Sequence, residues 1–356
     1  MGRTCPLHRT TNCPASCHSM KPYDVSPDWM PGFRHEDWVS VVIPVYNRED
    51  LIVEALDSVH RQTYRPIEVV VVDDGSEDET GEAVQAWEDS NTDEDGFEVR
   101  YLYQENTGGP AARNRGLRAS RGAYIQFLDS DDLLLAHKIE RQHRRLHEQK
   151  VDMVYCTTDV LDAEGETIGR CGQEIRGTGI DVPEYSWHIS GPLYRRSTVR
   201  ELGPWLESLT GNQDWEYCAR AKLHDFSFHF DETVGSVYRQ HDSGRISNPS
   251  FQYEYTRSAE KAYDHIWALA EERDRLNKAF SGRIARLYLY RALEYRCHGF
   301  EDEARRCLDK ADRSPVQKDL AWVMIQACKR IPHRWWAQLL LQLTHLRSTL
   351  LTGNPD

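Results

Sequence analysis

Apolar runs of strand length recur along the first half of the chain with helical segments between them, and few folds accommodate that order. VSVVIPVY (Val39–Tyr46) and IEVVVV (Ile67–Val72) lack the in–out alternation of a half-exposed strand, so each reads as a strand buried on both faces. Between them, DLIVEALDSVHRQ sets Leu51, Ile52, Ala55, Leu56 and Val59 at helical spacing. EVRYLYQ, AYIQFL and VDMVYCTTDV continue the series, each preceded by a helical stretch. Strand alternating with helix in this way predicts a right-handed parallel α/β sheet. Ligands of such sheets sit at the carboxyl ends of the strands.

The polar clusters fall at those ends. Tyr46-Asn47 follows the first strand, Asp73-Asp74-Gly75 the second, and Asp129 to Asp132 the fourth. Asp129 and Asp131 are two apart, so both side chains can face one way. Two hard oxygen donors on one face suit Mg²⁺ or Mn²⁺, which fill their other positions with water and substrate phosphate. Asp132 is placed to cap a helix beginning at Leu133. In ENTGGPAARNRG, Gly108 and Gly109 permit close backbone approach, Pro110 fits a first helical turn, and Arg113 lies one turn in. A helix N-terminus with an arginine suits a diphosphate, although a solvated face of Arg113, Arg115 and Arg118 reads equally well from this stretch alone.

Beyond about residue 160 the alternation stops. Hairpin material (Glu164 to Gly179) leads to WHISGPLYRRSTV, then to a helix, QDWEYCARA, carrying Asp214 and Glu216 near its start, where a carboxylate usually caps or meets the dipole. A strand pair is expected in FSFHFDETVGSVYRQH, with Arg239 and His241 two apart on one face, followed by a polar loop and a helical tail from about Phe251. His143 and His147, four apart on a charged helix without an H-E-x-x-H sequence, read as a solvated face.

Composition narrows the partners. A net charge of −13 over 356 residues, without a basic stripe, excludes a nucleic-acid polymer. The nine cysteines show no pairing pattern, which fits reduced, cytoplasmic usage. Nothing approaches the roughly 18 uninterrupted apolar residues of a membrane span. Residues 1–37 read as a disordered leader, since Cys5, His8, Cys13, Cys17 and His18 match no common zinc spacing and the stretch is rich in Pro, Ser and Thr. In the tail, Tyr295, Gly299, Ala304, Leu308, Ala311 and Pro315 resemble one tetratricopeptide-like helix hairpin, which needs a neighbour to pack on. Arg334, Trp335, Trp336, the leucines after them and Arg347 make either an amphipathic helix lying on a membrane or a core-packing helix.

Taken in order, VSVVIPVYNRED, VVVVDDGSEDET, NTGGPAARNRG, GAYIQFLDSDD and QDWEY resemble the family 2 glycosyltransferases of the GT-A fold, from Val39 to about Ser247. The resemblance implies a GT-A catalytic domain at 38–250, with a nucleotide-sugar half (38–132) and an acceptor half (133–250), and a helical extension at 251–356. It implies that Pro44, Tyr46 and Asp74 surround the nucleotide base, that Arg113 lies near the donor diphosphate and Asp129 near the ribose, and that Asp131 and His241 hold the metal. Asp214 would be the general base. The residue before that aspartate is often Glu in relatives and is Gln213 here, which leaves the acceptor type open. The implied reaction is metal-dependent inverting transfer from a nucleotide diphospho-sugar, foremost a UDP-sugar, to a hydroxyl of a saccharide or lipid-linked acceptor. Cell-surface polysaccharide or glycolipid synthesis, in the cytoplasm or at the inner face of the plasma membrane, is the matching role. Two alternatives stand beside it: a non-catalytic nucleotide-sugar-binding module and a polyprenyl-phosphate glycosyltransferase. Asp214 argues against both, since neither needs a base. The first strand turn, PVYNRED, lacks G-x-G-x-x-G, which argues against a dinucleotide oxidoreductase.

Overall fold

The computed structural model describes residues 29–91, 95–174, 187–240 and 251–313. The first half runs β1 (His35–Val45), α1 (Glu49–His60), β2 (Ile67–Asp73), α2 (Thr80–Asn91), β3 (Phe97–Tyr103), α3 (Gly109–Ala119) and β4 (Gly122–Phe127). There follow β5 (Leu133–Leu134), α4 (Lys138–Glu148), β6 (Met153–Leu161), β7 (Thr167–Cys171), β8 (Leu193–Arg195), α5 (Arg196–Leu202), α6 (Gln213–Leu223) and β9 (Phe228–Arg239). Three helices complete the described chain: α7 (Tyr253–Glu272), α8 (Lys278–Cys297) and α9 (Glu301–Arg313).

One sheet orders the strands β3-β2-β1-β4-β8-β6-β9-β5, with β7 on β6. The first four strands are mutually parallel, so their carboxyl ends share one edge. The apolar runs are buried on both faces as expected. Val39, Val41, Ile43 and Val45 of β1 face a core shared with α1, while Val42 faces a second core with Leu117 of α3. Helix α3 rests close on the sheet because Gly116 is small: a Cβ there would lie 2.4 Å from Val42 Cγ1. That approach sets Arg113, one turn earlier, above the strand ends.

Pro44 sits in a central strand without breaking it. Val42 O still accepts from Leu128 N at 3.1 Å, but the pairing of β1 with β4 stops at Val42. Pro44, two residues on and aimed the same way, needs no partner for an N–H it does not have.

Three expectations are corrected. No helix starts at Leu133: Leu133 and Leu134 pair antiparallel with Val237 and Ser236, α4 begins at Lys138, and Asp132 is buried among other partners. FHFDETVGSVYR forms one strand, β9, whose register slips against β6 and absorbs the polar DET without a turn. The solvated face read on α4 holds for His147, which is exposed although its Nε2 meets Tyr124 Oη at 2.8 Å, but not for His143, which is half-buried with Nε2 3.0 Å from Tyr64 Oη.

The helices after the sheet share a hydrophobic core with α6. Trp215, Ala219 and Leu223 of α6 pack with Ala259, Ala262, Tyr263 and Ile266 of α7, and with Tyr295, Ala304, Leu308 and Ala311 of the α8–α9 hairpin. None of the described helices is long and apolar enough to cross a membrane. The described cysteines Cys156, Cys171, Cys218 and Cys307 form no disulfide. The Cys/His segment before residue 29, and the tail after residue 313 with Pro315, Arg334, Trp335, Trp336 and Arg347, lie outside the described residues.

Glu260 on α7 ties the hairpin down. Its buried carboxylate receives Arg306 Nε and Nη2 at 2.8 and 2.9 Å and Lys310 Nζ at 2.6 Å. Burial opposes the charge, but these bonds win and hold its pKa down to about 2. A depressed carboxylate stabilises the fold fully above its unfolded value of about 4.5, and the contribution fades as pH falls from there through about 2. Glu260→Gln is expected to cost about 3–5 kcal/mol in urea denaturation at pH 7, with the gap to wild type closing below pH 4.5. A gap that stays constant down to pH 3 would contradict the assignment.

Candidate functional site

The loops after β1 and β2 are laced together. Asn47 N donates to Ser76 Oγ at 3.0 Å, Glu77 N to Asn47 Oδ1 at 2.8 Å, and Arg48 N to Thr80 Oγ1 at 2.9 Å. Asn47 takes the left-handed conformation (φ 50°) that turns the chain out of β1. Tyr46, just before it, is 42% exposed at the mouth.

The two aspartates that end β2 have separate tasks. Asp73 accepts Ser76 N at 2.8 Å and Tyr101 Oη at 2.6 Å, closing the turn and fastening β3. Asp74 accepts Gln104 Nε2 at 2.7 Å, Thr107 N at 2.9 Å and Gly108 N at 2.7 Å. It therefore builds the loop that launches α3. Gly108 allows that launch with φ 96°, which a residue with a Cβ rarely adopts.

Arg113 is where the two halves of the site meet. Its guanidinium is 6% exposed and lies 4.6 Å from the centre of the Trp205 ring. Nη2 bonds Asp129 Oδ1 at 2.7 Å and stands 4.0 Å from Asp214 Oδ1, while Nη1 donates to Gln213 Oε1 at 3.1 Å. Burial works against the charge, yet the carboxylates of Asp129 and Asp214 hold its pKa above the ordinary value.

Asp214 is the carboxylate left available. Its side chain is 35% exposed, and Oδ1 has no hydrogen-bond partner among the described residues. Burial raises its pKa to about 6; Arg113 opposes the rise and the negative Asp129 adds to it.

Past β4, the acidic turn divides. Asp131 stands 3.8 Å from Arg48 Nε, and its carbonyl accepts Arg239 Nε. Asp132 is fully buried, accepting Ser190 Oγ and Arg239 N at 3.2 Å each, with His188 Nδ1 3.5 Å away. The His188 ring stacks on Tyr238 at 4.7 Å. One donor atom each from Asp129, Asp132 and His188 gathers within 4.8 Å, a group able to hold a metal ion. Burial and the charges of Asp131 and Asp129 push the Asp132 carboxyl well above the usual range. A dication beside it would relieve that strain, so hard oxygen donors with one imidazole fit Mg²⁺ or Mn²⁺.

Of the residues expected from sequence, the structure brings Arg113, Asp129 and Asp214 into one contact group. Pro44, Tyr46 and Asp74 stand at the neighbouring strand ends, Asp131 is turned toward Arg48, and His241 lies outside the described residues. Sequence reasoning missed His188, Ser190 and Trp205. A lone histidine in WHISGP and a tryptophan in GPWL carry no motif that could have flagged them.

A parallel first half, a mixed second half and an acidic turn between them define a GT-A fold. The family model described as glycosyl transferase family 2 matches residues 40–201. That stretch resembles a family 2 glycosyltransferase domain. Glycosyltransferase GlyG of Streptococcus pneumoniae is 39% identical over 117 residues, covering 33% of this chain and 37% of GlyG. An uncharacterised glycosyltransferase of Rickettsia felis is 37% identical over 134 residues, covering 38% of this chain but 21% of its own length. The chain thus spans well under half of each of these relatives. The crystal structure of S. aureus TarS 1–349 in complex with UDP-GlcNAc shares the fold, with a TM-score of 0.54, 17% identity, and cover of 80% of this chain and 93% of that one.

Asp74→Asn tests the loop assignment. An amide nitrogen cannot accept, so one of the Thr107 or Gly108 N–H groups would lose its acceptor. The expected loss is about 1–3 kcal/mol in urea denaturation; a change within about 0.5 kcal/mol, the scatter of ordinary surface substitutions, would show that Asp74 does not carry the loop.

Proposed function

We propose that the protein is an inverting glycosyltransferase that moves a sugar from a nucleotide diphospho-sugar to an acceptor hydroxyl, with Asp214 as general base. The observation that carries this reading is the Asp214 carboxylate beside Arg113, whose Oδ1 accepts no hydrogen bond among the described residues, at the edge where the β1, β2 and β4 ends converge. A carboxylate held at about 6 is largely ionised at neutral pH and still basic enough to draw a proton from a hydroxyl.

The donor's base lies at the Pro44, Tyr46 and Asp74 end, and the UDP-GlcNAc bound by the fold relative TarS makes a UDP-sugar the first donor to test. Arg113 supplies positive charge toward the diphosphate, in a buried setting where each charge counts for more than in water. Asp129, Asp132 and His188, with Asp131 in the same acidic turn, would hold Mg²⁺ or Mn²⁺, and the family resemblance adds His241 as a further candidate ligand. Such an ion offsets charge developing on the leaving diphosphate. Asp214 takes the acceptor proton, and the alkoxide forms its bond to the anomeric carbon as the bond to the diphosphate breaks. One displacement inverts the centre and needs no covalent intermediate. A saccharide or lipid-linked acceptor, in surface polysaccharide or glycolipid synthesis, is the matching setting.

Asp214→Asn keeps the side chain's shape and cannot accept a proton. Transfer is expected to fall by about 10²–10⁴, with the Kd for UDP in Mn²⁺ unchanged within threefold. Wild-type transfer should rise as pH passes about 6 and level off above it, because the ionised form is the active one. Release of UDP from UDP-GlcNAc, with saccharide acceptors or water, measures both. A mutant at wild-type rate, or one that loses UDP affinity, would remove Asp214 from the base role.

A further inference from the structure

Asp214 opens α6, yet the residues that hold it come from the helix after the sheet. Ser258 of α7 is 2% exposed, and its hydroxyl is fully used: it accepts Thr210 N and Gly211 N at 3.0 Å each and donates to Gly211 O at 2.6 Å. One donor and two acceptor positions are all a serine has. The Tyr255 ring closes over the same backbone, since a Cβ on Gly211 would lie 2.3 Å from its Cδ2. From that clamped pair the chain passes through Asn212, held left-handed at φ 56°, and enters α6 at Gln213.

The far side of Asp214 is gripped by the same helix. Glu216 is fully buried and accepts His265 Nδ1 at 2.7 Å, together with Arg220 Nε and Nη2 at 3.0 and 2.9 Å. Ser258 and His265 are seven residues apart, two turns along one face of α7. Trp215 packs edge-on against Tyr263, 5.0 Å away, between those two points. Helix α7 thus braces the segment 210–216 before and after Asp214.

We propose that Ser258 is a positioning residue for the general base, so that α7, outside the stretch 40–201 that matches the family, is a working part of the transfer centre. This rests on the reading of Asp214 as base. Ser258 touches no reacting atom: it fixes the two residues from which the Asn212–Gln213–Asp214 turn departs. Without its hydroxyl, the Thr210 N–H, the buried Gly211 N–H and the Gly211 carbonyl seek new partners, and Asp214 drifts from its place beside Arg113.

The test compares full-length wild type, Ser258→Ala, Ser258→Thr, Asp214→Asn and the Ser258→Ala/Asp214→Asn double variant. Each is followed by UDP release from UDP-GlcNAc in Mn²⁺ with water as acceptor, and by amide hydrogen exchange. Ser258→Ala should lower kcat at least tenfold with the Kd for UDP unchanged, and should speed exchange at residues 209–216 without changing it in β1–β4. Ser258→Thr, which keeps the hydroxyl, should recover most of the rate. In the Asp214→Asn background, Ser258→Ala should cost less than twofold further, because a base that is gone cannot be misplaced; a general structural defect would cost as much in either background. If Ser258→Ala loses its cooperative melt, Ser258→Cys takes its place. Wild-type kcat in Ser258→Ala alongside an impaired Asp214→Asn would overturn this inference alone. A wild-type rate in Asp214→Asn would instead overturn the base assignment beneath it. If wild type releases no UDP, exchange decides: unchanged protection at 209–216 in Ser258→Ala overturns the clamp, and loss confined there supports it.

Discussion

A buried guanidinium between carboxylates from opposite halves of the sheet is the interaction on which the rest of this site depends. Arg113 comes from the parallel half, on a helix that Gly116 lets down onto β1. Asp129 comes from the end of β4 and Asp214 from the start of α6, 85 positions later. Without the cation, two carboxylates would face each other in a poorly solvated cleft, each raising the other's pKa. With it, Asp129 is paired and Asp214 is left with a raised pKa and an unpartnered oxygen. Structural pairing and chemical readiness are therefore divided between two aspartates by which one Arg113 bonds directly.

The loops around that cation are built in advance of any ligand. Asp74 spends its oxygens on the backbone before α3, and Asp73 spends its own on the turn after β2. Residues that look like ligand contacts from a motif thus also hold the walls in place. The same division recurs in the acidic turn, where Asp132 is buried against Ser190 and the backbone of Arg239 while Asp129 and Asp131 stay partly open. Helix α7 repeats it beside Asp214, and ties a segment outside residues 40–201 to the residue proposed to do the chemistry.

The parallel half was legible in the sequence because burial on both faces leaves uninterrupted apolar runs. Val39–Val45 and Ile67–Asp73 are strands as read, and the polar residues after them lie at one edge as that topology requires. The mixed second half was legible in β6 alone, because its other strands are short or irregular. β5 has two residues and β8 three, too few for any periodicity, and β5 exists only because β9 pairs with it about a hundred residues later. The misreading of Asp132 as a helix cap follows from that. Asp214 was legible as a candidate through its motif, while its partners were not: the bond from Arg113 to Gln213 spans 100 positions, and Ser258 lies in a helix whose pattern shows only packing.

If Arg113 and the acidic turn form a metal-assisted diphosphate site at the strand ends, UDP binding depends on both the metal and that guanidinium. Calorimetric titration of UDP into the full chain, once in Mn²⁺ and once in EDTA, tests it most directly, with Arg113→Met as the comparison. The account predicts binding in Mn²⁺ that is lost in EDTA and weakened at least tenfold by Arg113→Met. UDP affinity indifferent to both the metal and Arg113 would contradict it.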